Sequence, residues 1–331
     1  MLQKVILITA GLALLAFAIW GLLSSETERV LPGGVTFYQE DIDFYAMEWH
    51  KEAEERTLYA GGRNGLYVFN EESFTLIETF PGTYVRALLS DGGTLYIGCE
   101  QGLYSFSGAG FDLILPLRIH CLAMSETDLW AGTLEGAYRI NDGLRLTTEN
   151  GLLADYVNVI LPLSSDGILF GNYERDGGVN LYYNGVLTTF SVSDGLPHPH
   201  VTSFLEVESS VWIGTGFFDR GGACMITIED GAMTLTDTLL RSDGLAGDKV
   251  RNIYLDDGGN IWFASEADGV AIFNGGKPIR LLTAEDYLIH DEVLCFLEDR
   301  VDGVIRGLWL GTPSGCVYFD EVAYFDVQKA G

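Results

Sequence analysis

A four-residue block that alternates apolar side chains and ends in a small residue returns seven times along the chain, and nothing else limits the fold as much. The copies are Leu58-Tyr59-Ala60-Gly61, Leu95-Tyr96-Ile97-Gly98, Leu129-Trp130-Ala131-Gly132, Ile168-Leu169-Phe170-Gly171, Val211-Trp212-Ile213-Gly214, Ile261-Trp262-Phe263-Ala264 and Leu308-Trp309-Leu310-Gly311. They lie 37, 34, 39, 43, 50 and 47 residues apart. Most are followed by Gly and a second strand-like run, from Gly65-Leu66-Tyr67-Val68-Phe69 to Gly315-Cys316-Val317-Tyr318-Phe319; the fifth copy is looser, with Gly222 before that run. Alternation of period two marks strands. One more apolar run before each block (201–207, 250–255) and one after (187–192, 279–282) give four strands per unit. Four short strands in roughly 42 residues match a propeller blade and overrun a leucine-rich or hexapeptide turn.

Turn chemistry agrees. Asp91-Gly92, Asp142-Gly143, Asp166-Gly167, Asn184-Gly185, Asp230-Gly231, Asp257-Gly258 and Asn274-Gly275 supply the positive φ angles that tight hairpins need. No sustained helical period follows residue 30. The expected fold is therefore all-β, a seven-bladed β-propeller of four-stranded blades over residues 35–331. An open ring would leave two unpaired sheet edges. Val35-Thr36-Phe37-Tyr38-Gln39 precedes the first full unit and has the pattern of an outer strand, so it is expected to close the ring beside 322–327.

The first 29 residues read differently. Lys4 is followed by nineteen uncharged residues, Val5 to Leu23, and then by Glu26 and Glu28. About twenty apolar residues in a helix cross a hydrocarbon layer of roughly 30 Å, which predicts one N-terminal transmembrane helix, an uncleaved single-pass signal-anchor. The rival reading is a cleaved secretory signal, with Ala16 and Ala18, or Gly21 and Leu23, as a poor cleavage motif. Cationic flanks stay in the cytoplasm, so the N-terminus is expected there and the propeller outside, periplasmic or on the cell surface. Residues 30–34, with Pro32 and two Gly, read as a short tether.

Charge removes one class of partner. Forty-seven acidic residues against 19 basic ones leave a net charge of −28, which repels phosphate backbones, so no nucleic acid is expected. Five cysteines show no Cys-x-x-Cys spacing, and no cofactor or metal is expected. One bridge, Cys295 to Cys316 within the last blade, is compatible with an oxidising compartment. Asp256-Asp257-Gly258-Gly259-Asn260 has a faint calcium-loop look but sits where the other blades have a plain turn, and is read as a hairpin.

The unit as a whole, a strand, a turn, Leu-Trp-x-Gly-Thr, a polar loop, Gly-Leu-x-x-Phe and then Asp-Gly-Leu, resembles the two-component regulator propeller repeat. The carrying residues are Ser193-Asp194-Gly195-Leu196-Pro197 with Val211-Trp212-Ile213-Gly214-Thr215, Ser242-Asp243-Gly244-Leu245 with Ile261-Trp262, and Asn150-Gly151-Leu152 after Leu129-Trp130. Tyr59 and Tyr96 replace Trp in the first two units. The resemblance implies an extracytoplasmic sensor-type propeller. The chain stops a dozen residues after the last strand pair, so the kinase and β-sandwich of the large sensors are not expected.

Candidate site residues follow from blade geometry. Loops from an outer strand to the next inner strand, and from the second strand to the third, gather on one face around the central channel. Aligned on Val157, Val201, Val250 and Val293, the first set places His198 and His290 at equivalent positions two blades apart, with Asp155, Asp248 and Asp291 one place on and His200 close by. Arg63 comes from the second set. An Asp before a strand caps its own turn, which is the stronger reading of these carboxylates. Phe217 and Phe218 are adjacent aromatics in a loop whose turn does not need them; with Tyr156 and Tyr173 they offer a carbohydrate platform. His50 and His120 fall inside predicted inner strands and read as structural. The preferred function is non-catalytic binding of a membrane-protein partner or a small ligand, in one version as an accessory subunit of a membrane complex. The alternative is a lyase or hydrolase acting on a sugar or lactone with His198 or His290 as general acid or base; lyases of the virginiamycin B type share the seven-bladed fold.

Overall fold

Seven antiparallel four-stranded sheets follow one another around a ring in the computed structural model, which describes residues 31–38, 41–52, 55–126 and 128–329. Gly33 onward is one structural unit. Six blades are contiguous in sequence (46–76, 87–115, 119–146, 157–190, 201–239 and 250–282), and each runs from its innermost to its outermost strand in chain order. All seven repeated blocks are second strands, and the Gly-led runs after them are third strands.

The seventh blade joins the ends of the ring. Its three inner strands, Cys295–Val301, Val304–Thr312 and Gly315–Asp320, take Val35–Tyr38 as the outermost strand, in the register Val35 with Phe319 through Tyr38 with Cys316. The closing strand is the expected one, but its partner is not 322–327. Glu321–Val327 is a helix, here α1, which also corrects the expectation of no helix after residue 30. Asp320 caps it: its Oδ1 accepts from the amides of Val322 and Ala323 at 2.8 and 3.0 Å. Tyr324, fully buried, lies against Trp262 and hydrogen-bonds Tyr254 at 3.0 Å, pinning α1 to the sixth blade. The expected membrane anchor at Val5–Leu23 lies outside the described residues, and among the described residues no helix is long and apolar enough to cross a membrane.

The small residue that ends each block has a steric cause. Each innermost strand is preceded or opened by an apolar residue at most 1% exposed: Phe44, Val85, Ile119, Val157, Val201, Val250 and Val293. These anchors press on the preceding blade where its block ends. A Cβ on Gly61 would lie 2.6 Å from the Val85 carbonyl oxygen, one on Gly98 2.6 Å from Ile119 Cγ2, one on Gly171 2.6 Å from Val201 Cγ1, and one on Gly311 2.8 Å from the Phe44 carbonyl oxygen. Glycine lets neighbouring blades approach, and the large side chains of the block fill the space beside it. Trp130 and Trp262 are fully buried, and Trp309 is 3% exposed.

Two smaller expectations are settled. Asp256 is a hairpin hub: its carboxylate accepts from the amides of Gly258 and Asn260, the Asn260 side chain and Trp262 Nε1, all at 2.8–2.9 Å. No acceptor capacity is left over for calcium. The Cys295–Cys316 bridge does not form, and none of the five cysteines, all among the described residues, is joined in a disulfide. Gly311 pairs with both cysteines, one on either side, so a whole strand separates them. Two strand spacings are about 9.5 Å, beyond disulfide reach.

Candidate functional site at the channel mouth

The residue after each buried anchor faces the channel. Tyr45, Arg86, His120, Asn158, Thr202, Arg251 and Leu294, one from each blade, line a single cavity of about 240 Å³, joined by Tyr156 and Tyr173 from the fourth blade. The backbone repeats while the chemistry does not: one equivalent position holds a phenol, two guanidiniums, an imidazole, an amide, a hydroxyl and an alkyl group.

Several of these side chains are committed to the fold. Asn158 donates to the Val201 carbonyl at 3.0 Å and Thr202 to the Val250 carbonyl, each bridging to the next blade. Arg251 is clamped by Glu292, which accepts from its Nε at 2.7 Å, and by Glu266 at 3.5 Å. Lys249, almost fully buried, donates to Glu266 at 2.7 Å and to the Tyr173 hydroxyl at 3.0 Å. Tyr45 donates to Asp43, which also pairs with Arg63.

Two groups are not committed. Arg86 makes no ion pair among the described residues; its guanidinium carbon sits 5.1 and 5.7 Å from the Tyr45 and Tyr84 ring centres, and its Nε is buried without a partner. His120 shares a 2.9 Å hydrogen bond between Nδ1 and the Tyr156 hydroxyl, while its Nε2 is likewise buried and unpartnered. Burial, and then the Arg86 and Arg118 guanidiniums, hold His120 down at about 3. Burial also pushes Tyr156 up to about 12, with both arginines pulling the other way. The pair is neutral at pH 7, with each group a poor proton exchanger there.

The sequence-derived residues divide into two groups. His200, Phe217 and Phe218 come together with the channel wall. Ring contacts run from His120 to Tyr156 (4.4 Å between centres), Tyr173 (5.6 Å) and His200 (4.5 Å, stacked), then to Phe217 (4.9 Å) and Phe218 (4.4 Å). His198 packs against His200 at 4.9 Å. Burial depresses both imidazoles; His200 and nearby cations add to the effect at His198, and Lys249 does so at His200.

The other group serves the loops. Asp155 and Asp291 accept from the amides of Thr148 and Ala284 at 2.7 and 2.6 Å, tying down a residue seven positions earlier in the loop where capping of their own turns was expected. Asp248 pairs instead with Arg241 at 3.5 Å. His198 and His290 are equivalent, as aligned, but each spends Nδ1 on its own loop, accepting from the amide two residues on (His200 and Glu292) at 3.1 and 2.9 Å. Neither lines the cavity. Among the described residues no three His, Cys, Asp or Glu side chains converge in metal-ligand geometry. Sequence reasoning does not single out Arg86 and reads His120 as structural, whereas both line the channel; the signal is their place one residue beyond the aligned apolar anchors. His50 is structural, fully enclosed and bonded to Ser90 at 2.9 Å.

Backbone strain also points to this face. Among the described residues, nine non-glycine residues have positive φ. Seven are Asp, Asn or Glu in hairpins joining first to second or third to fourth strands, on the opposite face. The other two are aromatic, Tyr84 and Phe218, and both stand at the channel mouth. Aromatic residues gain nothing from this conformation, which costs about 1–2 kcal/mol. Phe218 holds it on a hairpin tip with 70% of its surface exposed.

No protein-family model matches this chain, and no curated protein matches it. Solved structures do. The extracellular domain of a one-component or hybrid two-component system protein from B. thetaiotaomicron superimposes with a TM-score of 0.66 at 18% identity, covering 87% of this chain and 40% of that one. A second hybrid two-component extracellular domain from the same organism gives 0.71 at 16% identity, covering 90% and 42%. PorZ, a surface component of the type-IX secretion system of Porphyromonas gingivalis, gives 0.60 at 14%, covering 85% and 47%. The chain thus spans less than half the length of these structures. At such identities the likeness is one of fold: a seven-bladed propeller.

Proposed function

We propose that this protein is a non-catalytic extracytoplasmic binding propeller of the two-component-regulator type, held to the membrane through Val5 to Leu23, whose channel-mouth face receives a small ligand or a membrane-protein partner. The observation that carries this reading is the wall of the channel. Seven equivalent positions bear seven side chains of mostly different chemistry on an otherwise repeating frame, which is how a rigid scaffold displays a recognition surface. The strained, exposed Phe218 and the aromatic run behind it extend that surface to the rim. The two extracellular sensor domains with this fold support the location.

His198 and His290 sit outside the cavity on separate loops, and the His120–Tyr156 pair is neutral, so no observation favours the enzymatic alternative over binding. The test is a cross-linked, mild-detergent purification of the full-length protein from its native membrane, with everything that co-purifies in fixed ratio identified. A stoichiometric partner or small molecule lost on Phe218→Asp supports the reading. Capture that ignores every channel-face substitution and depends on the opposite hairpins overturns it.

A further inference from the structure

We infer that the channel cavity is built for a small organic anion, a carboxylate carried on a six-membered ring, with Arg86 as its counter-ion. This rests on the binding reading above and names its ligand class. Lys249 and Arg251 are balanced in place by Glu266 and Glu292, and Arg118 by Glu100 at 2.9 Å. Arg86 alone on the wall carries an unmatched charge. In a chain with 47 acidic residues and a net charge of −28, a carboxylate paired with Arg86 would be the ordinary outcome, and among the described residues no carboxylate pairs with it. A half-buried guanidinium held only against two tyrosine rings keeps unused donors, and a bidentate carboxylate satisfies them best.

Geometry supplies the rest. His120, whose Nε2 is buried without a partner, lines the same cavity, and Arg86 stands near enough to this ring to depress its basicity. Tyr156 and Tyr173 line one side of the cavity, in ring contact with each other and with His120 and His200, so that side is aromatic. At about 240 Å³ the space is smaller than the ~300–1,000 Å³ of drug-sized pockets, so it fits one ring and its acid group, or the acidic end of something longer. The acidic remainder of the protein repels anions at long range, so binding depends on the short-range contact with Arg86, and added salt screens the distant repulsion before it screens that contact.

The experiment is calorimetric titration of the full-length protein in detergent with benzoate, cyclohexanecarboxylate and D-glucuronate, against the uncharged benzamide and D-glucose. The expected result is one-to-one binding of at least one acid, about ten-fold or more tighter than the matching neutral compound, and lost by a similar factor in Arg86→Gln. Arg86→Lys should restore part of it, and His290→Ala should leave it unchanged. Which acid binds distinguishes an aryl, an alicyclic and a sugar body. Equal affinity for neutral compounds, indifference to Arg86→Gln with the fold intact by circular dichroism, or no binding by any of the acids overturns the inference. The two readings fail separately: a partner that needs Phe218 but ignores Arg86→Gln sinks the anion site and leaves the binding propeller standing, whereas turnover of a bound acid sinks the non-catalytic reading and leaves the site.

Discussion

Replacing Gly171 by Ala places a methyl group at the junction of the fourth and fifth blades, where the added carbon would lie 2.5 Å from Val159 Cγ1 of its own blade and 2.6 and 3.0 Å from Val201 Cγ1 and Cβ of the next. Val201 is fully buried, and its successor Thr202 is tied to the sixth blade, so the fifth blade cannot retreat by itself. Overpacking of this kind costs about 1–3 kcal/mol. The smaller conformational entropy of Ala in the unfolded chain returns about 0.4–1 kcal/mol. Taking the middle of each range, the net loss is about 1 kcal/mol, or a fall in Tm of about 2 °C for a folded unit of this size. Gly92→Asn is the matched control: Gly92 has φ +53° with nothing within 4 Å of an added Cβ, and Asn tolerates that conformation, so a change under about 0.5 kcal/mol is expected. Thermal and urea unfolding followed by circular dichroism measure both. A Gly171→Ala protein as stable as its parent would refute the claim that close approach of the blades selects the small residue.

Three further outcomes are expected. Asp256→Ala strands four donors around a buried carboxylate site and should cost about 3 kcal/mol or more in urea unfolding; a loss below about 1 kcal/mol would show that the hub is dispensable. Glu48 is raised from 4.5 to about 7, by burial against the smaller opposing effects of the Trp49 backbone and Arg56. Between those two values the unfolded chain ionises first, so stability falls as pH rises through the window; Glu48→Gln should stabilise at pH 8 by about 1–3 kcal/mol and leave pH 4 unchanged, and equal effects at both pH values would contradict the burial of that carboxyl. His120, lowered from 6.5 to about 3, takes up its proton in the unfolded chain first, so the stability it contributes at neutral pH is lost as pH falls from 6.5 toward 3. Its imidazole proton resonances should stay flat in NMR down to about pH 4, and a midpoint near 6.5 would place the ring in water.

Much of the architecture was legible because a propeller repeats its constraints. The seven blocks, their glycines and the Asp-Gly and Asn-Gly turns each reflect a local requirement that the sequence meets in the same way blade after blade. The end of the chain was not legible in the same way. Six or seven apolar-rich residues do not separate strand from helix by periodicity, and α1 was misread for that reason. Its one signal was Asp320-Glu321, a cap followed by an acidic first turn. The site was half legible. Phe217 and Phe218 stood out as residues their turn did not require and His200 by its place in the loop before Val201, and all three reach the channel mouth. Arg86 and His120 did not stand out, because each lies at the start of an inner strand, where the apolar pattern of the anchors draws attention to the residue before. His198 and His290 looked like partners because they align, but equivalence in a ring of blades places residues apart around the axis.

The central claim is that recognition happens at the channel mouth. A photo-reactive benzoylphenylalanine placed at Phe218, and separately at Asn184 on the opposite face, tests it in the native membrane, with adducts identified by mass spectrometry. The expected result is a defined adduct, protein or small molecule, from position 218 and none from position 184. An adduct from position 184 alone would put the working surface on the other side of the ring and contradict the claim.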